Sequence, residues 1–151
     1  PRSTHSVPSS GGGGLACRGS RGVDAIQPAI KVWGLDTVGS DAMSQARAAG
    51  HPVELPAITS IAKPLGAPYV SDATLALTQK NLECVTVVTD AEAVEALVYI
   101  AGRLKVIIEP AASCTLAAAE KLRANFTPDS NVVLIFCGGN TSISDICGYI
   151  S

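Results

Sequence analysis

From residue 11 to its end the chain alternates short β-branched runs with alanine-rich stretches of helical spacing. Residues 29–35 (AIKVWGL), 84–88 (CVTVV), 106–108 (VII) and 131–136 (NVVLIF) read as strands. The last is apolar on both faces, the pattern of a strand in the middle of a parallel sheet. Between these runs, residues 41–49 form a helix that stops at Gly50, a C-cap glycine, and residues 71–79 form another opened by Ser71 and Asp72. Thr89 and Glu92 have the spacing of a capping box, and the helix beyond them carries Ala93, Val94, Leu97, Val98 and Ala101 as its apolar positions. Residues 112–125 form an alanine-rich helix, and residues 15–23 a short one weakened by Gly19 and Gly22. The alternation predicts an α/β fold, an open twisted and mostly parallel sheet with helices on both faces. Residues 1–10 lack periodicity and are expected as a loose N-terminal arm, leaving residues 11–151 as one domain.

Open sheets of this kind place ligands at the carboxyl ends of their strands. Gly11, Gly12, Gly13 and Gly14 expose consecutive backbone N–H groups just before a helix, an arrangement that holds phosphate. After Pro8-Ser9-Ser10 the same run also reads as a flexible linker, and both readings stay open at this point. Cys137-Gly138-Gly139-Asn140 follows the apolar strand and suits either a flat ligand lying against the backbone or a tight turn with a structural cysteine.

Composition narrows the classes. With 47% hydrophobic and 16% charged residues the chain has enough apolar surface for a globular core. A net charge of −2 with scattered basic residues and few aromatics argues against nucleic-acid binding. No apolar run approaches the roughly 20 residues of a membrane span, so a soluble cytoplasmic protein is expected. The five cysteines lack CxxC spacing and read as reduced thiols. His5 and His51 read as surface residues, and Ser142 and Ser144 as helix caps because no His–Asp partner is spaced to activate them.

The order of the segments adds more than any one of them. GGGGL is followed by KVWGLDTVGSDAM, LPAITSIAKPLGAPYVS, TDAEAVEAL, VIIEPAASCTLAAAEKL and VVLIFCGGNTSIS. From Gly11 to about Ser144 this resembles the C-terminal half of the pyridoxal-phosphate-dependent serine/threonine dehydratases, in the eukaryotic L-serine dehydratase branch. The resemblance implies part of the large domain of the tryptophan synthase β-like fold, fold type II. It implies that Gly11, Gly12, Gly13 and Gly14 hold the phosphate of pyridoxal 5'-phosphate. Cys137 then faces the pyridine nitrogen as a neutral thiol, with Gly138 and Gly139 along the ring edge. Asp36, with the carbonyls of Gly11, Ser40, Leu65 and Ala67, matches the ligands of a monovalent cation such as potassium, an oxygen-only set suited to a hard ion. Asp36 stands where the family usually carries Glu. The implied reaction removes the α-proton and β-hydroxyl of L-serine, giving pyruvate and ammonia; L-threonine gives 2-oxobutanoate. A homodimer is implied for the complete protein.

The chain departs from the family in one decisive respect. The lysine that carries the cofactor lies in a Ser-x-Lys-x-Arg-like segment, and none of Lys31, Lys63, Lys80, Lys105 and Lys121 has that context. With Pro1 first and Met43 the only methionine, the chain is expected to be a fragment or processed product without a catalytic residue of its own, inactive alone. An exposed apolar face is expected where the rest of the domain would dock. Ala111-Ala112-Ser113-Cys114 also lacks the glycine usual after Glu-Pro. Two alternatives are a non-catalytic phosphate-ligand or interaction module of the same fold, and a related serine racemase or threonine synthase.

Overall fold

A computed structural model describes residues 4–8, 19, 22, 25–27 and 29–150. The tetraglycine run and most of the helix expected over residues 15–23 lie outside the described residues. The strands are β1 (His5–Val7), β2 (Lys31–Val32), β3 (Gly34–Thr37), β4 (Val85–Val88) and β5 (Val132–Leu134). The helices are α1 (Ala42–Ala49), α2 (Asp72–Asn81), α3 (Asp90–Leu104), α4 (Pro110–Lys121) and α5 (Ile143–Ile150), with 3-10 turns at Lys63–Leu65 and Arg123–Asn125.

Every strand pair is parallel: β1 lies between β2 and β5, and β3 pairs with β4. Residues 31–37 act as one strand that changes partner at Trp33. The Trp33 N–H donates to the Ser6 carbonyl (2.8 Å), and the next N–H, of Gly34, donates to Cys84 on the other side (2.9 Å). The spatial order is therefore β4, β2/β3, β1, β5, and the predicted α/β sheet is the one observed.

Helix α4 supplies the packing centre. Ala111, Cys114, Ala117 and Ala118 are buried against Val7, Leu35 and Val88 from three different strands. Side chains this small let the helix axis approach the sheet closely, and burial pushes the Cys114 thiol up to about 12, so it behaves as a small hydrophobe. The missing glycine at the helix entry has a local replacement: the Ser113 hydroxyl lies 2.6 Å from the Ala93 carbonyl of α3 and 3.0 Å from Pro110 O. The capping box is present, with Glu92 N–H donating to Thr89 Oγ1 (3.2 Å) and Thr89 N–H to Glu92 Oε2 (2.7 Å). Gly50 ends α1 in the left-handed region, as expected.

Four expectations are corrected. Residues 1–10 are not wholly a loose arm, because His5–Val7 is hydrogen-bonded on both edges. Three residues are too few to show a period, and two of them are polar. His5 is accordingly not a surface residue: it stacks on Trp33 (6.2 Å between centroids) and meets Phe126 edge-on (5.0 Å). Residues 106–108 form no strand. Helix α3 ends on Lys105 at φ +60°, and the chain then runs exposed through Val106 and Ile107 to buried Ile108. Finally, β5 is not central. Among the described residues it pairs only with β1, and Val133 is 41% exposed, so its apolar pattern marks a sheet edge whose outer face is open.

Burial, and next the Lys31 charge, hold the His5 imidazole below its ordinary value. The unfolded chain then takes up this proton first as pH falls. The stabilisation is full above about pH 6.5, the unfolded value, and is lost as pH drops through the lower folded value. Denaturant melts of His5→Phe and the unmodified chain should show a stability difference that shifts in favour of the variant between pH 7 and pH 5, and parallel profiles would refute it.

Candidate functional site

Because the strands are parallel, Val7, Thr37, Val88 and Leu134 all end on the same edge of the sheet. The turns that follow them form the candidate site.

After β5 comes the turn Cys137-Gly138-Gly139-Asn140, with the Cys137 thiol free and exposed. Gly138 sits at φ +112°, and a Cβ there would lie 2.1 Å from Glu109 Oε1. Only glycine fits that backbone and that contact. The Gly138 carbonyl accepts from the Glu109 N–H (3.2 Å), and Glu109 Oε2 accepts from the Asn140 N–H (3.1 Å). The two candidate glycines are thus held against the entry to α4. Ser142 caps α5 through reciprocal hydrogen bonds with Asp145, at 3.1 Å and 2.8 Å, which fits its expected role.

At the end of β3 stand Asp36 and Thr37, followed by the turn Val38-Gly39-Ser40. Asp36 is completely buried. Its Oδ2 accepts from the Ser44 N–H (3.0 Å), so the carboxylate faces the N-terminus of α1, whose own N-cap Asp41 makes no side-chain cap bond. Asp36 Oδ1 and the hydroxyls of Thr37 and Ser40 are buried with no hydrogen-bond partner. Gly39, at φ +79°, lets the turn approach Thr59, whose N–H donates to the Gly39 carbonyl (3.0 Å). Asp36 and Ser40 therefore share one turn. Leu65 and Ala67 lie on a separate turn, where the Leu65 carbonyl already accepts from Ala67 N–H (2.9 Å).

Burial pushes the Asp36 carboxyl up to about 7; the amides of Ser44 and Met43 oppose this and the Asp41 charge adds to it. Four of the five lysines have neighbours that account for their charge or amine. Lys31 pairs with Glu83 (3.9 Å), Lys121 with Glu92 (2.8 Å), and Lys105 with the Gly102 carbonyl. Lys63 lies near Asp145, whose carboxyl is held below its usual range first by Ser142 and then by that charge.

Sequence reasoning overlooked two residues. Glu109 entered only as part of an ordered segment, although a charged residue between apolar Ile108 and a Pro-initiated alanine helix signals a buried carboxylate with a job. Thr37 gave no signal beyond its place at a strand end.

With this geometry established, comparison supplies the class. The chain matches the family described as pyridoxal-phosphate dependent enzyme over residues 1–138, and it belongs to that family. Its similarity to individual proteins is narrower. It is 35% identical over 146 residues to the human L-serine dehydratase/L-threonine deaminase, covering 90% of this chain and 44% of that protein. Its fold superposes on a fungal L-serine ammonia-lyase from Rhizomucor miehei with TM-score 0.84 at 25% identity, covering 99% of this chain and 50% of the other. It superposes on maize serine racemase with TM-score 0.87 at 28% identity, covering 99% and 46%. The chain therefore spans about half the length of the relatives it matches. The expected fold type II α/β architecture is the one these neighbours share. No helix among the described residues is long and apolar enough to cross a membrane.

The sign of the Asp36 effect follows from its raised value. Its contribution is full below the unfolded value near 4 and is lost as pH rises through about 7. Asp36→Asn should be stabilising at pH 8 by on the order of 3 kcal/mol relative to its effect at pH 4 in denaturant titrations, and a pH-independent difference would disprove this.

Proposed function

We propose that these residues are the C-terminal part of the cofactor domain of an L-serine/L-threonine dehydratase, contributing half of a pyridoxal-phosphate site. The observation that carries this is the Cys137-Gly138-Gly139 turn, where a positive-φ glycine leaves the backbone bare beside an exposed thiol. The names of the human and Rhizomucor relatives support the dehydratase reading.

These residues fit the cofactor. Gly139 leaves room for a flat ring beside its peptide groups, since a Cβ built there would meet nothing closer than the Ile107 carbonyl at 3.9 Å, whereas the space at Gly138 is filled by Glu109. The exposed Cys137 thiol would be the partner of the pyridine nitrogen. Gly11, Gly12, Gly13 and Gly14, which lie outside the described residues, match the family's phosphate loop in sequence and would hold the phosphate. The bound cofactor supplies the electron sink for loss of the substrate α-proton, and a neutral partner at the ring nitrogen moderates that sink in favour of β-elimination. The unpartnered buried oxygens of Asp36, Thr37 and Ser40 fit a hard cation such as potassium, which Asp36 and Ser40 would hold together with the carbonyls of Leu65, Ala67 and, by sequence, Gly11.

No lysine here stands in the cofactor-carrying context, so this chain binds pyridoxal phosphate without turning over L-serine. The similarity to maize serine racemase keeps racemisation as a second reading, and the assay therefore includes D-serine.

Titration of the purified chain with pyridoxal phosphate should give binding that inorganic phosphate competes away, without the visible band of a lysine-bound cofactor and without pyruvate. Band and pyruvate together would show that one of these lysines serves; D-serine would favour the racemase reading; no binding at all would sink the half-site.

Potassium should also act on stability. At pH 8, KCl in place of tetramethylammonium chloride at equal ionic strength should raise the melting temperature of the unmodified chain but not of Asp36→Asn. Equal responses would remove Asp36 from the cation site.

A further inference from the structure

We propose that Glu109 is the positioning residue for the Cys137–Asn140 turn and, through it, for the thiol and glycines of the cofactor edge. The inference rests on the proposed function for its link to the cofactor, while the clamp itself stands on geometry.

Glu109 occupies the N-cap position of α4 yet makes no side-chain cap bond to that helix. A carboxylate at an N-cap ordinarily accepts from its own first turn. This one is 7% exposed and is turned instead towards the neighbouring chain, where Oε2 accepts from the Asn140 N–H at 3.1 Å. Its backbone acts on the same turn, with the Glu109 N–H donating to the Gly138 carbonyl at 3.2 Å. Two bonds from one residue thus reach both sides of Gly139.

The third contact is steric. A Cβ on Gly138 would fall 2.1 Å from Oε1 and 2.6 Å from Cδ of Glu109, so the carboxylate packs where a side chain would otherwise stand. Gly138 is therefore required by Glu109 as well as by its own φ of +112°.

The arrangement is also economical in charge. Burying a carboxylate is costly unless it is hydrogen-bonded, and here a backbone amide and the positive end of the α4 dipole offset that cost. Because Pro110, Ala111, Ala112 and Ser113 are all buried, the residue at their head cannot shift without disturbing the core. Glu109 thus couples a mobile type of element, a glycine turn, to the most firmly packed helix.

The test compares Glu109→Ala, Glu109→Asp and Glu109→Gln in the 151-residue chain. Three readouts are taken: amide exchange at Asn140 by NMR, iodoacetamide labelling of Cys137 relative to exposed Cys147, and pyridoxal-phosphate affinity. Gln keeps the length and an acceptor oxygen, whereas Asp is one methylene short. Glu109→Ala and Glu109→Asp should speed Asn140 exchange about tenfold or more and change Cys137 labelling without changing Cys147. Glu109→Gln should restore both to within about threefold of the unmodified chain. Cofactor affinity should weaken in the same order.

Unchanged Asn140 exchange in Ala and Asp, or a Gln variant as loose as Ala, would overturn the clamp. If Ala does not fold, the Asp and Gln pair decides. If the exchange series holds but the unmodified chain binds no pyridoxal phosphate, the functional reading fails and the link to the cofactor edge with it, while the clamp stands. If the chain binds and affinity ignores the series, only the link to the cofactor edge is overturned.

Discussion

Helix α4 is the constraint on which the other elements depend. Its buried alanines, Ser113 and Cys114 lie against β1, β3 and β4, strands that come from distant parts of the chain. The helix must approach closely because its side chains are short, and close approach fixes the height of the strands beneath it. Replacing any of these alanines by a larger side chain would force the sheet apart, since packed interiors have little slack. The same helix fixes α3 through the Ser113 hydroxyl and begins at the residue that touches the Cys137 turn. One packing surface thus reaches from the core to the candidate cofactor edge.

Of the five buried side-chain polar atoms without a partner among the described residues, three lie at the end of β3 and in the turn after it. Asp36, Thr37 and Ser40 leave oxygens without partners in a region from which water is excluded. Such groups cost free energy unless something completes them. The carboxylate is only half compensated: Ser44 and the dipole of α1 serve one oxygen, and the other has nothing. A bound cation or a bound proton resolves the imbalance, and the raised carboxyl value is the protonic form of that resolution. The two compete, because a cation site needs the ionised acid.

Much of this was legible in the sequence where period and caps coincide. Thr89 and Glu92 announced α3, Gly50 closed α1, and Ser71 opened α2, since each side-chain role depends on residues three or four positions away. The failures share a different cause. His5–Val7 is a strand because Lys31 and Val132 flank it, a fact with no local trace in a polar tripeptide. The run around Val133 has the composition of a central strand, but composition reports only that both faces are apolar, and not whether a neighbour covers them. The candidate site divides in the same way. Cys137 and Gly138 were readable as a turn after a strand, whereas Glu109 is linked to them across 31 positions by a hydrogen bond that no spacing rule encodes.

The described strands and helices form around no lysine in the cofactor-carrying sequence context. The positions proposed to meet the cofactor ring and a cation sit at strand ends and turns set by local features: Gly138 by its φ, Gly39 by its contact with Thr59, Asp36 by the start of α1. None of these requires the lysine to be present. A site assembled this way has a binding half and a reacting half that meet only at the ligand. The lateral edge of β5, with Val133 41% exposed, and the uncovered Val106 and Ile107 leave apolar surface of the described residues in contact with water.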